Sequence, residues 1–156
     1  MINTIVGGLI GFLASLGTWY ITRRIEKCDQ RKVAFGWLRL EVEWNLKRLN
    51  DYKEKESEWR NPPQILEINF PPFPRLAYQA LIQHGPIFIS QDRELLKLIE
   101  SFYDRLLMVE YLRRRFNKRE PAGKQESLDN LMKAIEAARK DGEELLKTLD
   151  EKGIQG

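Results

Sequence analysis

Apolar positions change rhythm several times along this chain, and each change marks an element. From Met1 to Thr22 there is no charged side chain, and Arg23 and Arg24 follow at once. Ile2 to Ile21 is a run of twenty residues, which at 1.5 Å rise covers about 30 Å, roughly the hydrocarbon thickness of a bilayer. The pattern predicts one transmembrane helix. From Ile25 to Glu58 there is no proline, and apolar residues recur at Phe35, Leu38, Val42, Leu46, Leu49 and Tyr52, the spacing of one helix face. Within it, Leu38 to Trp44 also alternates with period two, as a half-buried strand would, and Leu66 to Phe70 does the same. The first stretch runs without turn residues into helix-forming sequence, which favours a long helix continuing from the span, with Gly36 as its weakest point.

Residues 60–74 hold Pro62, Pro63, Pro71, Pro72 and Pro74, five of the seven prolines, and predict a connector. Leu76 to His84 reads as a short helix stopped by Gly85 and Pro86. Ser90 is placed to cap a long helix, with Asp92 and Glu94 suited to its positive end. That helix turns Leu95, Ile99, Phe102, Leu106, Val109 and then Leu112 or Arg113 inward. After Glu120-Pro121-Ala122-Gly123 a last helix begins near Ser127, with Leu128, Leu131, Ile135, Ala138, Leu145 and Leu149 as its face. The expected fold is all-α: an N-terminal transmembrane helix, 1–24, continuing into a three- or four-helix cytoplasmic bundle, 25–156, with the 60–74 connector inside it.

Charge sets the orientation. Trp19 and Tyr20 fall at headgroup level, and Arg23, Arg24, Lys27, Arg31 and Lys32 follow with no basic side chain before the span, so the amino terminus is expected outside and the bulk in the cytoplasm of an inner or plasma membrane. A cleaved secretory signal would carry a basic n-region, which is missing, and no clear small-x-small cleavage site precedes the arginines. A buried helix of a soluble protein would need more apolar surroundings than the rest of the chain provides. Gly7, Gly11 and Ser15, spaced by four, form a small-residue stripe through which two spans could meet as a homodimer.

The order of Glu41-Val42-Glu43-Trp44-Asn45-Leu46-Lys47-Arg48-Leu49, Leu76 to Gly85 and Leu95 to Leu106 resembles uncharacterised prokaryotic and prophage proteins, over residues 35 to 112. In these a glutamate/asparagine-bearing helix precedes a short glycine-ended helix and then a helix with an aromatic pair. The resemblance implies a small membrane-anchored helical protein and brings no activity with it.

Candidate chemistry is sparse. His84 is the sole histidine and Cys28 the sole cysteine, so histidine-rich metal sites, four-cysteine zinc sites and intrachain disulfides are excluded. There is no nucleophile elbow, P-loop or dinucleotide fingerprint, and no cofactor is called for. Glu41 and Asn45, one turn apart, form a candidate polar pair that either fixes helix register or contacts a ligand. Glu100 and Asp104 repeat that spacing on a later helix. An enzyme would have to assemble its site from Glu41, Asn45, Glu100 and Tyr103. Pro71-Pro72-Phe73-Pro74-Arg75 matches a PxxP docking segment, against the plainer expectation that Phe70, Phe73 and Tyr78 pack on the bundle. Arg113, Arg114, Arg115, Lys118 and Arg119 place five bases in seven residues, a contact for anionic lipid if their helix runs back toward the membrane and for an acidic partner if it runs away. With 31% charged residues and net charge +3, the balance does not call for nucleic acid. The expected role is a single-pass protein-interaction, scaffold or regulatory component rather than a catalyst; the alternative is a membrane-active effector whose oligomerised spans perturb the bilayer.

Overall fold

A computed structural model of the chain describes residues 2–60, 67–84, 92–118 and 123–153; in the first helix, side chains are described from Thr18 onward except at 21, 24, 25, 27 and 28. Among the described residues the secondary structure is all-α. Helix α1 covers Ile2–Glu54, α2 Glu56–Arg60, α3 Leu76–His84, α4 Arg93–Asn117 and α5 Lys124–Glu151. Gly36 does not break α1, whose 53 residues extend for about 80 Å. The predicted span, residues 2–21, is continuous helical backbone with the rest of α1, while most of its side chains lie outside the described residues. Among the described residues no helix is long and apolar enough to cross a membrane.

The three long helices form the core along the stripes that the sequence marks. Phe35, Leu38, Val42 and Leu49 of α1, Leu95, Ile99, Phe102, Leu106 and Val109 of α4, and Leu128, Leu131, Ile135, Ala138, Leu145 and Leu149 of α5 are all buried together. Gly142 completes the α5 stripe. A methyl group there would come within 2.7 Å of Phe102 Cε2 and 2.8 Å of Leu46 Cδ2, so glycine is what lets α5 approach both neighbours.

Polar contacts along the helices establish their directions. Arg39 pairs with Asp150, Lys53 with Glu136, and Arg60 with Asp129 at 2.8 Å, so α5 runs antiparallel to α1. Lys152 pairs with Asp92 at 2.5 Å and Ser101 donates to Asp141 at 2.7 Å, so α4 runs antiparallel to α5. It follows that α4 runs parallel to α1. The basic end of α4 therefore does not turn back toward the predicted span; it lies at the opposite end of the bundle. The end of α2 and the start of α4 accordingly lie at opposite ends of the bundle, Arg60 beside Asp129 and Asp92 beside Lys152.

Two boundaries differ from expectation. Helix α4 is capped by Asp92, whose carboxylate accepts from Leu95 N–H at 3.1 Å, and Ser90 lies outside the described residues. The Asp92 carboxyl is held below the usual range by its hydrogen bond from Lys152 and then by the Leu95 amide. Helix α5 starts at Lys124, a turn before Ser127, and Ser127 is buried against the bundle.

The described part of the connector is extended and lies on the helices. Residues 67–70 alternate exposed and buried, with Ile68 and Phe70 inward, as their period-two pattern requires. Among the described residues no strand pairs with them; instead Asn117 acts as the partner, accepting from Ile68 N–H at 3.0 Å and donating to Ile68 O at 3.1 Å. Phe70 stacks on Tyr52 with centroids 3.9 Å apart, and Phe73 is buried beside them. Glu110 of α4, itself buried, accepts from Phe73 N–H at 2.9 Å, and Arg48 of α1 donates to Pro72 O at 2.9 Å. The PxxP segment thus serves as a stiff strap whose rings are committed to the core.

Candidate functional site

Helix α3 has no side-chain cap of its own, because Pro74 and Arg75 precede it. Its first amides would be left without acceptors. Glu41, projecting from α1, supplies them: Oε2 accepts from Ala77 N–H at 2.8 Å and Oε1 from Tyr78 N–H at 3.2 Å. The same Oε1 accepts from the Tyr103 hydroxyl of α4 at 2.5 Å. The carboxylate also opposes the positive end of the α3 dipole. Burial, then the hydrogen bond to Glu41, pushes the Tyr103 hydroxyl well above its ordinary range, so it remains a donor. Tyr78 stacks on Tyr103 with centroids 4.2 Å apart and planes 8° from parallel, which closes the junction of α1, α3 and α4. Asn45, fully buried one turn along α1, donates to Pro74 O at 3.0 Å. Glu41 and Asn45 therefore both hold the entry to α3, Glu41 by its amides and Asn45 by the carbonyl before it.

Beside this polar junction α1 and α3 flank an apolar groove of about 780 Å³. Trp37, Leu40 and Trp44 line one side, Leu76, Ala77, Ala80 and Leu81 the other, and Ala34, Pro74 and the Glu41 stem complete it. The alanines create the space. The aromatic rings do not fill it, since Trp37, Trp44 and Leu76 each keep most of their surface in water. It is an apolar depression beside one polar cluster, the kind of surface on which binding sites are commonly built.

The structure brings Glu41, Asn45 and Tyr103 together and leaves Glu100 and Asp104 on the exposed outer side of α4. Both Glu41 oxygens are engaged in holding the fold. Among the described residues no group of three or more His, Cys, Asp or Glu is arranged to hold a metal ion. Of the five-base cluster, Arg113 lies over the Phe70 ring at 4.9 Å and donates to Ile68 O at 3.4 Å, so it belongs to the strap. Arg114, Arg115 and Lys118 are exposed, and Arg119 lies outside the described residues. At the other end, Trp19 and Tyr20 are exposed on α1, with the Arg23 guanidinium 5.1 Å from the Trp19 ring centroid. The side chains of Gly7, Gly11, Ser15, Arg24, Cys28 and His84 lie outside those described.

Sequence reasoning missed the outer face of α1. Its signal was the alternation across Leu38 to Trp44: Leu38 and Val42 point to the core while Leu40 and Trp44 point away from it, so the helix is apolar on two sides. No family model, curated protein or solved structure matches the chain.

Proposed function

We propose that this chain is a single-pass membrane protein, amino terminus outside, whose cytoplasmic helical bundle docks a helix of a protein partner in the groove between α1 and α3. The carrying observation is the pair of exposed tryptophans, Trp37 and Trp44, beside an open groove of about 780 Å³. Tryptophan is the side chain most enriched at interface hot spots, and a bundle gains nothing from keeping two of them in water. The anchor rests on the uncharged stretch Met1 to Thr22 with its basic flank, and on a helix that continues unbroken from Ile2 into the bundle. Among the described residues that line the groove the one titratable group, Glu41, is committed to holding α3 and Tyr103, which favours docking over catalysis. The direction of α4 favours an acidic protein surface over headgroups as the contact of Arg114, Arg115 and Lys118.

Full-length protein extracted in mild detergent tests this reading, with a second, differently tagged copy of the chain present so that self-association and other partners are both read. Changing Trp37 and Trp44 together to alanine touches no core contact, and hot-spot losses above about 2 kcal/mol correspond to at least roughly tenfold weaker recovery. Undiminished recovery of every partner would overturn docking in the groove. For the anchor, residues 25–156 should survive protease added to intact cells, and the chain should stay in the membrane pellet after alkaline carbonate.

A further inference from the structure

The exposed apolar face of α1 has the spacing of a coiled-coil seam. Val33, Trp37, Leu40 and Trp44 follow one another by four, three and four residues, which places Val33 and Leu40 at d positions and Trp37 and Trp44 at a positions. The core stripe from Phe35 to Tyr52 occupies the opposite side of the same helix, so packing in the bundle leaves the seam open. From these observations we infer that the groove is filled by α1 of a second copy of this chain, the two α1 helices lying parallel about a two-fold axis. This rests on the docking and anchoring proposed above, because two chains held at the same end in one membrane must run side by side.

Three further features fit a second copy. The first is Gly36, within a long helix where glycine is unfavourable relative to alanine. A methyl group added there would meet no described atom within 4 Å, so nothing among the described residues of one copy requires the glycine. It flanks the seam at a g position, where the α3 helix of a second copy would approach, and Ala77 and Ala80 of that helix are small in the same way. The second is charge. Glu43 at g and Arg48 at e stand at the spacing that pairs g of one helix with e of the other in a parallel dimer, and Arg48, which gives one guanidinium nitrogen to Pro72 O, keeps its other donors for such a pair. Glu43 keeps 39% of its side chain exposed despite its bond to Arg39. The third is area. Val33, Trp37, Leu40, Trp44 and Leu76 are 60, 65, 45, 66 and 79% exposed. Together they offer on the order of 600 Å² per copy, taking large side chains at ~150–250 Å² each, against ~800 Å² per partner in a standard interface.

The test is disulfide crosslinking of the full-length chain in its own membranes, with Cys28→Ser as background. Single cysteines are introduced as Val33→Cys or Leu40→Cys on the seam, or as Lys133→Cys on the exposed side of α5. A disulfide needs Cα atoms within about 7 Å, which equivalent seam positions of a parallel pair approach and outer positions of α5 do not. The expected result is a crosslinked dimer from V33C and from L40C, and monomer from K133C. Gly36→Leu, whose Cβ would meet no described atom within 4 Å in the single copy, should reduce the crosslinked fraction at least fivefold while the melting curve keeps its cooperative shape. Crosslinking of L40C without V33C would mean an antiparallel pair and would overturn the proposal; so would monomer from both, or an unchanged yield with Gly36→Leu. In those cases, a different protein that is still lost with the Trp37/Trp44 variant would leave groove docking standing. Loss of no partner would bring down both.

Discussion

Glu41→Ala should loosen α3 and destabilise the whole bundle, because one carboxylate serves three donors from two other elements. The substitution removes acceptors for the amides of Ala77 and Tyr78 and for the Tyr103 hydroxyl. Hydrogen bonds to a charged group contribute about 1.5–3 kcal/mol each in net stability, and loss of a helix cap costs ~0.5–2 kcal/mol. These contributions overlap. The groove lets water reach the two amides after truncation, whereas Tyr103 is fully buried and its hydroxyl would be stranded. A net loss of about 2–4 kcal/mol follows, equivalent to roughly 4–16 °C in Tm for a domain of this size. Glu41→Gln keeps the shape and one acceptor oxygen and should lose about half as much. At nine residues α3 is shorter than the ~12–15 that an isolated helix needs, so its own amides should exchange before the rest of the bundle melts. Thermal denaturation followed by circular dichroism gives the first quantity, and hydrogen exchange on residues 77–84 the second. A Glu41→Ala protein with unchanged Tm and unchanged α3 protection would refute the capping argument.

Glycine substitutions should separate in sign. Gly142→Ala must push into Phe102 and Leu46 and lose about 1–3 kcal/mol, while Gly36→Ala, with open space around it, should raise the stability of an isolated copy by up to about 1 kcal/mol. A denaturant midpoint that rises with Gly142→Ala would contradict the packing assigned to α5, and one that falls with Gly36→Ala would contradict the open space around that residue. Asn117→Ala removes both hydrogen bonds to Ile68, and the strap at 67–75 should become the first site cut in limited proteolysis; equal resistance to wild type would show that Phe70 and Phe73 hold it alone. Burial raises the hydroxyl pKa of Tyr103, Tyr78 and Tyr52 in the folded chain. A raised folded value means that this contribution to stability is complete below the unfolded tyrosine pKa of about 10 and is lost as pH climbs above it. Unfolding should therefore accompany part of the tyrosinate absorbance above about pH 10, and ionisation of all five tyrosines near pH 10 with the fold intact would exclude this.

Which face of each long helix is buried was legible from the sequence, because burying an apolar stripe at helical spacing is the only economical way to enclose Phe35 to Leu49, Leu95 to Val109 and Leu128 to Leu149. The ends of α3 were legible too, since Pro74 and Pro86 bracket it and Gly85 follows its last residue. So was the inward set of the strap, from its alternation, although its partner was not: an extended segment needs backbone partners, and the sequence does not say that Asn117 substitutes for a second strand. The direction of α4 was settled by which residues of α5 it meets, Asp92 beside Lys152 and Ser101 beside Asp141, pairings that local periodicity does not encode. The meaning of Glu41 and Asn45 was decided by tertiary structure alone. Spacing put them on one face of α1, but their partners, Ala77, Tyr78, Tyr103 and Pro74, are 29 to 62 residues away. The second apolar face of α1 lies between these cases. Val33, Trp37, Leu40 and Trp44 carry a readable rhythm, yet apolar spacing alone cannot say which of two stripes faces the helix's own core; only the positions of α4 and α5 against the other stripe leave this one in water.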